Sequence, residues 1–314
     1  MRIMLTALLC MALMSCGGRR SLLPQSGGRL CEVVVAGDSC GIVAGALSRA
    51  VEGLPQPEPS FDIALPARTR LEGAALLARN IVLVNIDSAR FSRTSVRYGR
   101  DVYASGQIVV YVGAPSAGRL RADLRGSDVL VRLLRLHELA AAIDRLRRKH
   151  NPSMEDRVRR MFCVDICLPP DMTASKAGRD FMWMSNNSPT VMQNICIYSV
   201  PGTACSRDSV MRANIKGETD AMYMATVEGS VTERRTTVGG VPAVERRGLW
   251  EMRGDAMGGP FVSYAMRDSR GGTLVVEAFA FAPGMGKRNV MLSLEAALLT
   301  VRLPAARAAA NQNI

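Results

Sequence analysis

Short apolar runs bounded by turn-forming residues alternate with helical patterns along the first half of the chain. These runs are rich in β-branched residues, which favour strands, and they are Leu30–Val35, Phe61–Leu65, Asn80–Ile86 and Gln107–Val112. Helical spacing predicts the elements between them, which run from Asp38 or Ser39 to about Glu52, from Thr69 to Arg79 and from Ser127 to about His150. Leu54–Pro59 is proline-rich and must be an extended connector.

The second half of the chain is richer in strand patterns. The predicted strands are Cys163–Leu168, Asp180–Ser185, Val191–Val200, Tyr223–Val227, Arg247–Arg253, Phe261–Arg267 and Thr273–Ala282. Helices are predicted at Ser206–Asn214 and Arg288–Leu303, and Ser153–Asp156 resembles a capping box that begins another helix.

Side-chain alternation in the last three strands predicts how they pack. Trp250 and Met252 share one face of their strand, whereas Glu251 and Arg253 share the other. Short glycine-bearing loops separate the three runs, which favours a consecutive antiparallel meander. We expect Trp250 to be buried and the final helix, which has an apolar stripe, to lie across this sheet.

These patterns predict an α+β fold of two halves, with helices packed on mixed or antiparallel sheets and a C-terminal antiparallel meander followed by a final helix. The N-terminal α/β half is expected over 29–161 and the strand-rich C-terminal half over 162–304. A disordered tail is expected over 305–314.

Residues 1–15 have the pattern of a signal peptide. Arg2 precedes an apolar run from Leu5 to Met14, which at about 1.5 Å per residue is too short to span a bilayer. The run ends in Leu13-Met14-Ser15-Cys16, which resembles the lipobox of bacterial lipoproteins. Acyl chains such as palmitate on Cys16 would then anchor the mature protein to a membrane. Cys10 is a weaker candidate, because Leu9 is too large for the position before the cleavage site.

Residues 16–28 are polar and glycine-rich, so we expect a lipidated, flexible tether between the membrane and the folded part. No charged tag of the kind that directs lipoproteins to the cell surface follows Cys16. The expected location is therefore the cell envelope, on the periplasmic face of the outer membrane.

Charge and composition narrow the choice of partners. The chain is 48% hydrophobic, which indicates a globular protein, and its formal net charge is +12. The arginines are spread along the chain, and an exported lipoprotein rarely meets nucleic acid, so we do not expect nucleic-acid binding. Anionic lipid headgroups, acidic glycans or an envelope protein are the more reasonable partners.

Beyond the lipobox, six cysteines remain, and they are Cys31, Cys40, Cys163, Cys167, Cys196 and Cys205. Export permits disulfides, but six cysteines in a chain of this length do not make a disulfide scaffold. Buried free thiols are the expectation, and one disulfide between Cys31 and Cys40 is the alternative.

The sequence contains no complete catalytic or metal-binding pattern. Gly37-Asp38-Ser39 resembles the turn of one esterase class, but such a serine needs a histidine base. The two histidines, His137 and His150, both fall in the predicted long helix. We therefore expect Asp38 or Ser39 to cap a helix, and we expect no catalytic residues, metal or cofactor.

The most distinctive loop runs from Gly254 to Pro260. Its glycines could let a ligand approach the backbone, so a possible ligand loop comprises Glu251, Arg253, Asp255, Gly258 and Gly259. The alternative interpretation is a hairpin connection whose glycines supply positive φ angles.

Several segments resemble the domain of unknown function 4837 family, which comprises lipoproteins of Bacteroidetes-type bacteria with two membranes. They are Gly53–Phe61, Arg79–Ile81, Gln107–Tyr111, Asp180–Trp183, Ile195–Tyr198, Arg247–Tyr264, Phe281–Pro283, Lys287-Arg288 and Leu294-Glu295. The most specific is Gly248-Leu-Trp250 followed by Gly254-Asp-Ala-Met-Gly-Gly-Pro-Phe-Val-Ser263. The resemblance extends from about residue 30 to residue 303 and implies an envelope lipoprotein without an established activity.

Two functions remain open at this point. The first is a non-catalytic binding or structural role in the envelope, which the lipobox and the lack of a catalytic pattern favour. The second is a lipoprotein hydrolase that acts on envelope glycans or esters through carboxylates such as Glu251, Asp255 or Glu277. A pair of carboxylates about 5–9 Å apart in a cleft would favour the hydrolase.

Overall fold

The structure is a computed structural model that describes residues 23–66, 71–202, 206–219, 221–268 and 271–303. The predicted signal peptide, Cys16 and the predicted tail at 305–314 lie outside the described residues. Within them the fold is α+β with two sheets, as predicted.

The first sheet has five strands in the order β2-β1-β3-β5-β4. The strands are β1 (Glu32–Ala36), β2 (Asp62–Ala64), β3 (Asn80–Ile86), β4 (Ser95–Arg100) and β5 (Ile108–Ala114). All pair in parallel except the edge strand β4, which is antiparallel to β5. The helices of this half are α1 (Ile42–Leu47), α2 (Ala117–Leu124) and α3 (Val129–Arg148).

Two predictions for the first half are corrected by the structure. The first helix is shorter than predicted, although the Asp38 carboxylate does cap it by accepting hydrogen bonds from the Ile42 and Ala44 amides at 3.0 and 2.8 Å. The helix predicted at 69–79 is a short 3₁₀ helix at Gly73–Leu77, and Thr69 lies outside the described residues. The sequence analysis missed β4 and α2.

The second sheet has eight strands. Seven follow the order β10-β11-β12-β13-β8-β7-β6, and the eighth, β9, pairs with residues Trp250–Arg253 of β11. The strands are β6 (Ala174–Ala177), β7 (Phe181–Ser185), β8 (Met192–Val200), β9 (Tyr223–Thr226), β10 (Thr232–Val238), β11 (Val241–Arg253), β12 (Gly258–Arg267) and β13 (Thr273–Phe281). All of its strand pairs are antiparallel, and the predicted meander is β11-β12-β13. Its helices are α4 (Pro152–Phe162), α5 (Arg207–Asn214) and α6 (Arg288–Leu298).

The strand predicted at Cys163–Leu168 is wrong. Val164, Ile166 and Leu168 are buried, which explains the alternating pattern, but only Asp165 forms a β-bridge, to Arg302. The segment is therefore extended chain that packs its apolar side chains into the core without joining the sheet. The cap of α4 also differs from the prediction, because Asn151 rather than Ser153 accepts the hydrogen bond from the Met154 amide.

Both faces of the second sheet are buried. One face, which includes Val262 and Val276, packs against α4 and α6. The opposite face carries Trp250, which is 2% exposed, together with Phe261 and Phe279, and it packs against α5 and β9. Burial of Trp250 and the position of α6 across the sheet are as predicted.

Helix α6 joins the two halves. Leu294 and Leu298 lie in the core of the second sheet, whereas Leu292 and Ala296 lie in the core formed by the first sheet and its helices. Helix α4 packs only in the core of the second half, through residues such as Val158. The break before α4, near residue 150, thus separates the helices that pack in the first core from α4.

The folded part begins earlier than the predicted tether allowed. The Ser26 amide donates a hydrogen bond to the Ser105 carbonyl at 3.0 Å, and the Gly27 amide donates one to the Leu77 carbonyl at 2.8 Å. Residues 25–28 are therefore pinned to the edge from which β3 and β5 start. No helix in the described part of the chain is long and apolar enough to cross a membrane.

Candidate functional site

The predicted ligand loop is a tight turn between β11 and β12. Glu251 and Arg253 point away from Trp250, as predicted, and form an ion pair with each other at 2.9 Å. Asp255 is exposed in the turn, where its carboxylate accepts a hydrogen bond from the Ala256 amide at 2.6 Å. The acidic groups are thus engaged within the turn itself.

Gly258 and Gly259 lie inside β12 rather than in the turn, opposite Glu251 and Trp250. A Cβ atom at Gly259 would come within 2.0 Å of the Ala280 carbonyl oxygen and 3.3 Å of the Trp250 indole nitrogen. That nitrogen donates a hydrogen bond to the same carbonyl at 3.3 Å. The missing side chain at Gly259 therefore makes room for the tryptophan, which explains the glycine through packing.

Glu277 is buried on the same face of the sheet and is paired with Arg207. The Arg207 guanidinium donates to both carboxylate oxygens, at 2.7 to 3.0 Å, and stacks 3.9 Å from the centre of the Phe261 ring. Burial raises the pKa of Glu277, and Arg207 opposes the rise. Since Glu277 has no exposed surface, it has no access to a substrate.

Neither histidine reaches Ser39. The Ser39 hydroxyl is exposed and contacts the Cys40 sulfur at 3.8 Å. Burial lowers the pKa of His137, and His150 shares hydrogen bonds of 2.9 Å with both Glu155 carboxylate oxygens. The Gly-Asp-Ser turn is therefore a helix cap, as predicted.

No disulfide or metal cluster is present among the described residues. Cys31, Cys40, Cys163, Cys167 and Cys196 are free thiols, and Cys205 lies outside the described part of the chain. Only Cys31 and Cys196 are buried, so the exposed Cys40 and Cys163 and the half-buried Cys167 differ from the expectation of buried thiols. No group of His, Cys, Asp and Glu in this part of the chain could hold a metal ion.

The first sheet has an incompletely covered face. Successive cross-strand rows on this face are Ile81–Val109–Gly99, Leu83–Tyr111–Arg97 and Asn85–Gly113–Ser95. The first row is covered by a small cluster that includes Leu71 and Val102. In the next rows Tyr111, Arg97 and Asn85 are exposed, so the face opens toward the carboxyl ends of β3 and β5.

A cavity of about 640 Å³ lies on this open end of the sheet, and we call it the arginine pocket. Its lining residues are Leu83, Val84, Asn85, Arg90, Phe91, Ser92, Arg93, Ser95, Arg97, Tyr111, Val112 and Gly113. Three of these are arginines and none is acidic. The carboxyl ends of parallel strands are the usual place for ligands in open α/β sheets, so this is the candidate functional site.

One wall of the arginine pocket is built by the chain that follows β3. The Asp87 amide donates a hydrogen bond to the Ala114 carbonyl at 2.9 Å, and the Phe91 amide donates one to the Asp87 carbonyl at 3.0 Å. These bonds place the Phe91 ring over Gly113, where a Cβ atom would come within 2.2 Å of the ring. The wall is therefore held in place by backbone hydrogen bonds to the end of β5.

The sequence analysis did not identify this site. No element or site was predicted within residues 87–106, although three arginines within eight residues, at 90, 93 and 97, were a visible signal. These arginines lie around one cavity because β3 and β4 both pair with β5. That pairing is a feature of the tertiary structure, and β4 offers only two alternating apolar positions, Val96 and Tyr98, from which to predict it.

The fold and the candidate site define an α+β protein of two sheets with a basic pocket on the first sheet. Residues 151–300 match the model of a domain of unknown function, DUF4837, and residues 33–147 match that of another, DUF8532. The C-terminal half of the chain is thus similar to the DUF4837 family, as expected from the sequence. The resemblance was expected to extend over residues 30–303, but the DUF4837 model matches only 151–300. The segments before residue 147 that resemble the family lie in the region matched by DUF8532.

Among curated proteins, none matches the chain. A crystal structure at 1.50 Å resolution from Bacteroides thetaiotaomicron VPI-5482 is similar over 45% of this chain and 45% of its own, with 15% sequence identity and a TM-score of 0.25.

Proposed function

We propose that this protein is an exported envelope lipoprotein, anchored through acyl chains on Cys16, whose folded part has a non-catalytic binding role. The observation that carries the proposal is the lipobox, Leu13-Met14-Ser15-Cys16, directly after an apolar run of signal-peptide length. The resemblance to envelope lipoproteins agrees with it. The proposed location is the periplasmic face of the outer membrane.

The start of the described fold is compatible with such an anchor. Because Gln25 forms a bridge with Ser105, only residues 17–24 separate Cys16 from the pinned chain. At about 3.4 Å per residue this segment reaches at most about 27 Å, which holds the folded part close to the membrane. The tether joins the sheet at the edge where β3 and β5 begin, whereas the arginine pocket lies where they end.

The state of the carboxylates supports binding over hydrolysis. Of the three candidate residues for a hydrolase, Glu277 is buried against Arg207, Glu251 is paired with Arg253, and Asp255 is held in an exposed turn. The arginine pocket contains no carboxylate at all. General acid–base cleavage of a glycoside usually needs two carboxyl groups in one cleft, and none of these three carboxylates lines the arginine pocket.

Metabolic labelling with a palmitate analogue in a bacterium that processes lipoproteins tests the anchor. The wild-type chain should be labelled, and Cys16→Ser should lose the label and accumulate as precursor. Cys10→Ser is the matched control, because it removes the other cysteine of the leader, and it should be labelled like the wild type. Label that persists in Cys16→Ser would refute the proposed anchor.

A further inference from the structure

We infer that the arginine pocket binds an anionic saccharide, a sugar unit that carries a phosphate or carboxylate group. This inference rests on the proposed binding role and gives it a site and a ligand class. The pocket combines only partly compensated positive charge with an exposed aromatic ring and uncharged polar groups, which are the features that such a ligand requires.

The charge of the arginine pocket is only partly compensated. Arg90 has one carboxylate near it, that of Asp87 at 3.4 Å, and the Arg90 side chain is still 73% exposed. Among the described residues, no ion pair engages Arg93 or Arg97, both of which are exposed. Guanidinium groups bind phosphate and carboxylate through paired, charge-assisted hydrogen bonds. Three of them around one cavity therefore favour an anion.

Tyr111 provides the surface for a sugar ring. It lies in the middle row of the open sheet face, between Leu83 and Arg97, and is 40% exposed. An aromatic side chain offers a flat apolar face and a hydroxyl at its tip. Asn85 and Ser95 flank it in the next row and can exchange hydrogen bonds with sugar hydroxyl groups. A bare inorganic anion would leave these groups unused.

The pocket needs little rearrangement to bind. Its lining comes from β3, β4 and β5 and from the turn that Asp87 pins to Ala114. The Phe91 ring already rests on Gly113. Groups held by sheet hydrogen bonds lose little conformational freedom on binding, which favours affinity. Only the long arginine side chains have to become ordered.

Isothermal titration calorimetry of the full chain, purified in detergent with its lipid, tests the inference. The probes are glucose phosphorylated on its primary hydroxyl, glucuronate, glucose and inorganic phosphate. At least one charged sugar should bind, and glucose should bind at least about tenfold more weakly, since one lost charge-assisted contact is worth that much. Tighter binding of the sugar phosphate indicates a phosphorylated ligand, and tighter binding of glucuronate a carboxylated one.

Two variants locate the binding. The double variant Arg93→Gln, Arg97→Gln should bind the charged sugar about tenfold more weakly, or weaker still. The matched control is Arg132→Gln with Arg147→Gln, because these exposed arginines of α3 remove the same charge away from the pocket. Tyr111→Leu should lower the affinity for the charged sugar and leave the affinity for inorganic phosphate unchanged. This result distinguishes stacking of the sugar on the ring from attraction by charge. Circular dichroism melts should show that each variant is folded.

Several results would overturn the inference. These are no binding of either charged sugar at about 10 mM, equal affinity for glucose and its phosphate, inorganic phosphate as tight as the sugar phosphate, or an equal loss in the α3 control. None of these variants alters Cys16. A lack of binding would therefore refute the proposed ligand class and would not affect the proposal of a lipid anchor at Cys16. Palmitate label that persists in Cys16→Ser would refute the lipid anchor and would not affect the proposed ligand class.

Discussion

Glu295 carries a negative charge in the interior of the protein. Its side chain is 2% exposed on α6 and accepts hydrogen bonds from Arg247 of β11 at 2.5 Å, from the Tyr264 hydroxyl of β12 at 2.9 Å, and from Arg135 of α3. Burial opposes its ionisation, but the guanidinium groups of Arg247 and Arg135 prevail and lower its pKa from 4.5 to about 2. One carboxylate thus connects three elements from both halves.

We predict that Glu295→Gln destabilises the protein by about 3–5 kcal/mol at neutral pH, because it leaves the Arg135 guanidinium without its carboxylate partner and Arg247 with Glu245 alone. A pKa lowered by folding gives stability that is complete above the unfolded value of 4.5 and is lost as the pH falls toward about 2. The difference between wild type and variant should therefore shrink in acid. Urea unfolding at about pH 7 and about pH 3 measures it.

Glu233→Gln is the control for this prediction, since Glu233 is 56% exposed and pairs with Arg246 on the surface. An exposed pair contributes about 1 kcal/mol or less, so the control should have little effect at either pH. A Glu295→Gln variant as stable as this control would show that the buried carboxylate does not hold the halves together.

At the scale of single residues, the sequence allowed some positions to be predicted and concealed others. Alternation along one strand was sufficient to place Trp250 inside and Arg253 outside. The partners of Glu295 could not be predicted, because Arg135 and Arg247 are 160 and 48 residues away in the chain. Arg97 and Tyr111 of the arginine pocket are close in the chain, but they lie side by side only through the register of β4 and β5.

Among the secondary-structure elements, buried strands were predictable and polar edge strands were not. β3 was predicted with the bounds it has, because a continuous apolar run marks a strand buried on both faces. β4, β6 and β10 expose many of their residues and lie at sheet edges. Their pairing with a neighbour makes them strands, and no local hydrophobic pattern reveals it.

The proline-rich connector has a structural role in capping a distant helix. Glu58 accepts hydrogen bonds from the Lys287 and Arg288 amides at 2.6 and 3.0 Å, at the start of α6. These amides have no partner within the helix, and a negative charge is favourable at a helix N-terminus. The Pro55–Pro59 segment thus fixes the end of the helix on which the two halves meet.

We predict that Glu58→Ala destabilises the protein by about 0.5–2 kcal/mol, which is the usual cost of losing a helix cap. Thermal or urea unfolding measures it. Glu52→Ala, an exposed glutamate of the same connecting region, is the matched control and should be neutral. Equal effects of the two changes would mean that the cap contributes nothing beyond a surface charge.

At the scale of the whole molecule, two family models divide a chain whose halves share a helix. The models end and begin at residues 147 and 151, where α3 ends and α4 starts. Helix α6 lies in the region matched by DUF4837, yet its residues Leu292 and Ala296 pack in the core of the first half. Arg288 of the same helix also pairs with Asp62 of β2 at 2.8 Å. The first half is thus completed by an element from the end of the chain.

We predict that residues 23–150, expressed alone, do not form a stable domain, because without α6 the core around Leu292 and Ala296 is exposed to water. The fragment should aggregate or unfold at lower urea concentration than the full chain, whose two halves should unfold together in one transition. The control is the full chain cleaved at a protease site inserted between Lys149 and His150. Its two pieces should co-elute in size-exclusion chromatography, since α6 remains seated on both cores. A soluble 23–150 fragment that unfolds at the midpoint of the full chain would show instead that the first half is independent of α6.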